Sequence, residues 1–107
     1  MLITDHLGRL IFLNEAAEEL LGRTFAEIGE LPGEEWTAMF SPRTLDDVPL
    51  RPDETPGGRV LRTQRVVHER FRITGLDGLD HDISATVFPL FAHRDEFSGI
   101  VSIFWGG

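Results

Sequence analysis

The histidines and one acidic segment are the residues of this sequence whose types could bind a metal ion. The four histidines, at positions 6, 68, 81 and 93, lack the short spacings that bring zinc ligands together. The segment from Asp77 to Asp82 resembles the opening of a calcium loop, but its twelfth position is Phe88, where that loop requires a glutamate. The sequence therefore predicts no metal site and no loss of stability on chelation.

Groups that could act as nucleophiles or as acid–base pairs form no recognisable arrangement. The serines occur in no Gly-x-Ser-x-Gly elbow, and no glycine-rich phosphate loop is present. Adjacent acids at 46–47, 53–54 and 95–96 all stand in polar segments typical of solvated turns. Cysteine is absent, which excludes disulfides, thiolate metal sites and cysteinyl adducts of a cofactor. We therefore expect a domain that is not an enzyme.

The size and charge of the chain limit its possible partners. With 107 residues it has room for one domain, and its net charge of -8 argues against nucleic acid as a partner. No apolar run approaches the ~18 residues of a membrane span. All ten basic residues are arginines, and five of them lie between positions 59 and 72. This run is either a solvated face or a docking surface for an acidic partner or ligand.

Turn and cap signals divide the first half of the chain into short elements. Strand-like segments at 2–5 and 10–13 form a predicted hairpin, and Asn14 is suited to cap a helix that ends at Gly22. Further short helices are predicted from the capping box at Thr24, at 34–40, and at 56–63 behind a Thr55 cap. The prolines between 42 and 56 indicate a long ordered loop.

The second half of the chain alternates in the manner of strands. Three strands are predicted at 65–74, 80–91 and 100–105, with a turn at 93–99. The complete order is two strands, several short helices and three strands. This order predicts an α+β fold in which short helices cover one face of a five-stranded antiparallel sheet.

Apolar residues of the predicted helices and strands share one side of this sheet. They enclose either a filled core or a ligand cavity, and small residues at positions 57, 58, 85 and 102 favour the cavity. Two arginines, Arg59 and Arg62, are predicted near one end, which suits an apolar tail with an acidic head, such as a fatty acid. The predicted lining residues are Trp36, Met39, Phe40, Val60, Leu61, Phe71, Ile73, Ile83, Ala85, Val87 and Phe104.

The last strand is apolar on both faces, so the sheet has a second surface to cover. Val101, Ile103 and Trp105 share the face opposite the helices, and Phe88 of the preceding strand joins them by parity. A patch of this composition is large for an isolated monomer. We expect it to form a homodimer or to bind a flanking helix, with Trp105 as the anchor.

Residues along the whole chain resemble the PAS sensor family. The matching positions are Asp5, Gly8, Leu10, Phe12, Asn14, Ala16, Leu21, Gly22, Ile28, Asp46, Pro49, Leu50, Glu54, Pro56, Asp77-Gly78, Pro89-Leu90 and Gly99. The resemblance implies the strand order 2-1-5-4-3 and a non-catalytic sensory and dimerisation domain. It also implies that residues 1–107 are one module excised from a cytoplasmic, bacterial-type signalling protein, whose output domain is a kinase, phosphatase or cyclase.

Several departures from the PAS pattern limit the cofactors that the resemblance implies. The flavin-binding branch carries an Asn-Cys-Arg motif, and the absence of cysteine excludes its photoadduct. The haem-binding branch has a histidine on the central helix, and residues 56–63 contain none, which argues against haem. Gln64 stands where the family often has glycine. The alternative to a ligand sensor is a protein–protein interaction module with a filled core and no ligand.

Overall fold

The fold consists of one sheet and a layer of short helices. The computed structural model describes residues 1–106, except for the side chain of Trp36. The strands are β1 (Leu2–Asp5), β2 (Leu10–Leu13), β3 (Val67–Thr74), β4 (Asp80–Phe91) and β5 (Phe97–Gly106). The helices are α1 (Glu15–Leu21), α2 (Phe25–Ile28), α3 (Gly33–Met39) and α4 (Pro56–Thr63), with short 3-10 turns at Pro52–Glu54 and His93–Asp95.

The five strands form a single antiparallel sheet in the order β2-β1-β5-β4-β3. This confirms the predicted fold class and the strand order implied by the PAS resemblance. Strand β1 lies between its hairpin partner β2 and the last strand, so that Leu2 pairs with Ser102 and Thr4 with Ile100. The two halves of the chain are therefore joined at the middle of the sheet.

Local side-chain and backbone chemistry sets the ends of α1 and α4 where the sequence predicts them. The Asn14 side chain accepts a hydrogen bond from the Ala17 N–H at 2.9 Å, and Gly22 ends α1 with φ of 81°. The Thr55 hydroxyl accepts from the Gly58 N–H at 3.1 Å at the start of α4. Gln64 ends that helix in the left-handed region with φ of 58°, where a side chain costs roughly 1 kcal/mol.

The boundaries of three elements differ from the predictions. Helix α3 runs over Gly33–Met39 and not 34–40, and β3 begins at Val67 and not at residue 65. Strand β5 begins at Phe97, three residues before the predicted start, because the β4–β5 ladder continues to the pair Phe91 and Phe97. These two rings also meet edge-on, with centroids 6.1 Å apart, and the predicted turn at 93–99 is correspondingly shorter.

The interior between helices and sheet contains two apolar clusters. One packs Ala17 and Leu21 of α1 against strand residues that include Leu10. The other packs Val60 of α4, which is fully buried, against β4 and β5 on the same face of the sheet, including Val87. Each cluster excludes water from one helix and part of the sheet, and space remains where the two meet.

Candidate functional site

A cavity of about 500 Å³ lies between the inner face of the sheet and the helices. Its walls draw on both apolar clusters and on the loops before α3 and α4. A volume in this range is typical of sites for small molecules. The lining residues are Leu2, Thr4, Leu7, Gly8, Leu21, Pro32, Gly33, Glu34, Thr37, Phe40, Pro42, Pro52, Asp53, Thr55, Pro56, Gly57, Gly58, Leu61, Arg62, Phe71, Ile73, Ile83, Ala85, Val87, Ile100, Ser102 and Phe104.

Most of the residues predicted to line a cavity lie on its walls. The strands present them because alternate residues of a strand share one face of the sheet. Helix α4 adds Leu61 and Arg62, and the end of α3 adds Phe40. The predicted strand residues on the walls are Phe71, Ile73, Ile83, Ala85, Val87 and Phe104.

Three predicted lining residues lie elsewhere. Met39 is the last residue of α3 and is 38% exposed, because the helix ends there and only Phe40 turns inward. Val60 packs directly against β4 and β5 and does not line the cavity. Arg59 forms an ion pair with Glu69 of β3 instead of facing a ligand. Trp36 was also predicted to line the cavity, but its side chain lies outside the described part of the chain.

Some lining residues have no counterpart in the predictions. The β1 positions Leu2 and Thr4 are 6% and 1% exposed, and their alternation with Ile3 is a signal that could have placed them on the inner face. Pro32 and Pro42 come from loops and Pro52 from a 3-10 turn, and none of the three belongs to a periodic pattern.

The two glycines of α4 lie against different neighbours. A Cβ at Gly58 would lie 1.9 Å from the Pro52 carbonyl oxygen, so glycine is required for the helix to approach the preceding 3-10 turn. A Cβ at Gly57 would meet the Ile100 side chain at 3.3 Å on the cavity wall. Both glycines line the cavity and let α4 approach its neighbours closely, so Ala85 and Ser102 of the sheet are the residues that fit the prediction that small side chains open space here.

Few of the residues that line the cavity are charged. They are Glu34, Asp53 and Arg62, and all three are exposed. Asp53 is paired with Arg51 at 3.5 Å. Arg62 makes no ion pair with any described residue, and its guanidinium is available to an anion.

A cluster of five charged residues fastens the loop over 42–50 to the edge of the sheet. We call Arg43, Asp47, Arg72, Asp80 and Asp82 the arginine–aspartate cluster. Arg72 of β3 contacts Asp82 at 2.6 Å and Asp47 of the loop at 2.7 Å. Arg43 contacts Asp47 at 3.2 Å and Asp80 at 3.1 Å. Backbone hydrogen bonds of 2.9 and 2.8 Å also join Arg43 to Arg72, so the loop extends the sheet beyond β3.

The arginine–aspartate cluster shifts the titration of its members. Hydrogen bonds from Arg72 hold the pKa of the Asp47 and Asp82 carboxyls below their ordinary value. A hydrogen bond from the Thr74 hydroxyl is the main cause that lowers the pKa of Asp80. The hydrogen bonds that Arg72 donates to Asp82 and, to a lesser extent, to Asp47 raise the pKa of the Arg72 guanidinium. The loop is therefore held by charged groups at neutral pH.

The opposite, outer face of the sheet carries exposed apolar side chains. Ile103 is 43% exposed and Trp105 is 50% exposed, whereas Val101 is buried among its neighbours. Phe88 pairs with Val101 across β4 and β5 and is half-buried. The His68 ring of β3 lies 6.4 Å from that of Trp105. Phe12 of β2, 41% exposed, belongs to the same face and was not predicted there. We call Phe12, Phe88, Val101, Ile103 and Trp105 the outer sheet face.

The site suits binding better than bond-making chemistry. Its walls are chiefly aliphatic and aromatic, with hydroxyls at Thr4, Thr37, Thr55 and Ser102. The chain has no cysteine, so a cysteinyl flavin adduct cannot form. Among the described residues no group of three or more histidines and acids is placed to hold a metal ion. Within residues 1–106, no helix has the length and apolar character needed to cross a membrane.

The chain belongs to the PAS domain family, since the family model for the PAS domain matches residues 1–104. No curated protein is significantly similar to it in sequence. Among solved structures it resembles the PAS domain of a protein from Colwellia psychrerythraea, with a TM-score of 0.72 and 17% identity, covering 99% of this chain and 83% of that one.

Two further solved structures extend the likeness to eukaryotic proteins. The light-state dimer of the fungal blue-light photoreceptor Vivid matches with a TM-score of 0.73 and 12% identity, over 97% of this chain and 74% of that one. The PAS-B domain of Drosophila melanogaster Cycle with bound ethylene glycol matches with a TM-score of 0.65 and 13% identity, over 100% of both chains. At these identities the likeness establishes the PAS fold, in which the cavity occupies the space between helices and sheet.

Proposed function

We propose that this PAS domain senses a small apolar molecule with an acidic head, such as a fatty acid, within a multidomain signalling protein. The observation that carries the proposal is the cavity of about 500 Å³ with its mainly apolar walls. Burial of an acyl chain there would remove apolar surface from water at roughly 25 cal/mol per Å². The cavity also argues against the alternative of an interaction module with a filled core.

Arg62 supports the binding of an acidic head group. Arg62 lines the wall and has no ion-pair partner among the described residues, whereas Arg51 and Arg59 are each paired with acids. A carboxylate at this place would gain a charge-assisted hydrogen bond from the Arg62 guanidinium. The uncharged part of the ligand would extend toward the sheet.

The position of the cavity suggests how binding could reach an output domain. The loop over 42–50 contributes Pro42 to the cavity and is tied to β3 by the arginine–aspartate cluster. A ligand that moved this loop or α4 would therefore act on strands of the sheet. The sheet would pass the change to a flanking output domain through its outer face.

The ligand proposal is tested by native mass spectrometry of the purified domain, followed by organic extraction. We expect an acidic, apolar molecule to be released, and added myristic acid to bind to the emptied domain. Arg62→Gln should weaken binding of the acid about tenfold, because a hydrogen bond between charged groups is lost. Arg65→Gln is the matched control, since Arg65 is exposed and lies outside the cavity lining.

Two results would refute the proposed ligand. One is a flavin or haem absorption band in the purified domain. The other is a clean apo mass together with no binding of myristic acid to the wild-type domain.

A second proposed function is homodimerisation through the outer sheet face. Trp105 is half exposed there beside Ile103, and isolated monomers rarely leave such contiguous apolar patches in water. A patch that pairs with itself closes by a two-fold axis, with Trp105 at its centre. Vivid, whose fold is similar, was solved as a light-state dimer.

Sedimentation velocity tests the dimer. We expect the wild-type domain to dimerise with rising concentration, and Trp105→Ala combined with Ile103→Ser to abolish this. Val48→Ser combined with Leu79→Ser is the control, because both residues are exposed, 57% and 60%, but lie outside the outer sheet face. A monomeric wild type at high concentration, or an equally tight dimer in the first double variant, would show that this interface is wrong.

A further inference from the structure

Ser102 is a largely buried residue in the wall of the cavity. It lies near the middle of β5, is 7% exposed, and faces the cavity between the apolar neighbours Val87 and Ile100. Among the described residues, no group forms a hydrogen bond with its side chain. Polar groups in a protein interior are normally paired, so a hydroxyl that is open to the cavity and has no partner is available to a ligand.

A second hydroxyl lies beside Ser102 on the neighbouring strand. Thr4 is 1% exposed and also lines the cavity. Because Leu2 pairs with Ser102 and Thr4 with Ile100, Thr4 and Ser102 are diagonal neighbours on the same face, roughly 7 Å apart. We call Thr4 and Ser102 the hydroxyl pair.

The two members of the hydroxyl pair offer different hydrogen-bonding capacity. The Thr4 hydroxyl donates to the Asp5 carbonyl oxygen at 2.9 Å, so only its acceptor capacity remains. The Ser102 hydroxyl has both its donor and its acceptor capacity free. A ligand hydroxyl can donate to one of these oxygens and accept from the other, whereas a plain hydrocarbon chain can do neither.

We propose that the hydroxyl pair binds a hydroxyl group on the ligand, so that the preferred ligand is a hydroxylated acyl chain rather than an unsubstituted one. This inference rests on the proposed function, which places the carboxylate at Arg62 and the chain along the sheet. The chain hydroxyl satisfies Ser102, and the rest of the wall excludes water. Sites that hydrogen-bond a ligand hydroxyl discriminate against analogues that lack it.

Isothermal titration calorimetry on the emptied domain tests the inference. The probes are myristic acid and a panel of its monohydroxylated isomers, substituted at successive carbons along the chain. We expect at least one isomer to bind about 2- to 10-fold more tightly than myristic acid, the gain of a typical hydrogen bond. In Ser102→Ala this preference disappears, while myristic acid binds at least as tightly as it does to the wild type.

Two further variants separate the hydroxyl pair from general effects. Ser98→Ala is the matched control on the same strand, because Ser98 is exposed and lies outside the cavity lining. It should keep the full preference for the hydroxylated isomer. Thr4→Val, which preserves shape, should reduce the preference without abolishing binding of myristic acid.

The outcomes distinguish this inference from the proposed function. Equal binding of myristic acid and every isomer to the wild type would overturn the hydroxyl preference and leave the apolar-acid proposal standing. A preference that persists in Ser102→Ala would overturn the role of the hydroxyl pair. Failure of all these acids to bind would overturn both.

Discussion

Ala85→Leu tests whether the space between helices and sheet is truly open. Ala85 is 2% exposed and lies on β4, where it lines the cavity beside its cross-strand neighbour Phe104 of β5. Leucine adds three carbons, which at about 0.8 kcal/mol per buried carbon contribute about 2.4 kcal/mol. Ordering the longer side chain costs about 0.5–1 kcal/mol. We therefore expect a net increase of about 1–2 kcal/mol in the free energy of unfolding.

The same substitution in a packed region should have the opposite sign. Ala17 of α1 is 1% exposed within the first apolar cluster and lies outside the cavity lining. A leucine there has no space to enter and forces its neighbours apart. Overpacking of this kind costs about 1–3 kcal/mol. Ala17→Leu is thus the control, because it makes the same substitution at an equally buried site outside the cavity lining.

Urea unfolding of the emptied domain measures both variants. Ala85→Leu should raise the midpoint by about 0.5–1 M with an unchanged slope, and Ala17→Leu should lower it. Ala85→Leu should also weaken binding of myristic acid, because its side chain occupies the ligand's place. If Ala85→Leu destabilises the domain as much as Ala17→Leu does, the cavity is closed in solution and the reasoning fails.

Two further predictions concern stability. The pKa values of Asp47, Asp80 and Asp82 are lowered on folding, so their contribution to stability is present at neutral pH and is lost as pH falls below about 4. Arg72→Gln should flatten this dependence in unfolding curves measured from pH 7 to 2.5, and an unchanged curve would contradict it. Gly22→Ala should lower the melting temperature by about 5–15 °C, because the φ of Gly22 is 81° and a Cβ there would lie 2.9 Å from the Asp77 nitrogen. A calorimetric midpoint equal to that of the wild type would contradict this.

Strand alternation made the sheet side of the cavity predictable. Residues such as Ile83 and Val87 repeat every second position, and a strand has only two faces, so parity decides their placement. Helix residues were harder to place, as Met39 and Val60 show. Helix α3 ends at Met39, so helical spacing no longer applies at Phe40. The side of α4 that meets the sheet depends on how the helix is docked.

Contacts between distant loops left no signal in the sequence. Arg72 and Asp47 are 25 residues apart and meet only because the loop over 42–50 crosses the sheet edge. The pairing of Arg59 with Glu69 likewise depends on the position of α4 above β3. Glu69 shares the strand parity of Phe71 and Ile73 but is exposed, and no pattern in the sequence identifies Arg59 as its partner.

The position of β1 between β2 and β5 has a consequence for how the domain folds. Its residues pair both with the adjacent hairpin strand and with β5, so that Leu2 meets Ser102 across almost the whole chain. Such distant pairing raises the contact order, and folding slows accordingly. During synthesis the β1–β2 hairpin must wait until β5 has left the ribosome before the sheet can close. Amide protons of Ile3 and Thr4 should therefore exchange with solvent only when the entire domain unfolds.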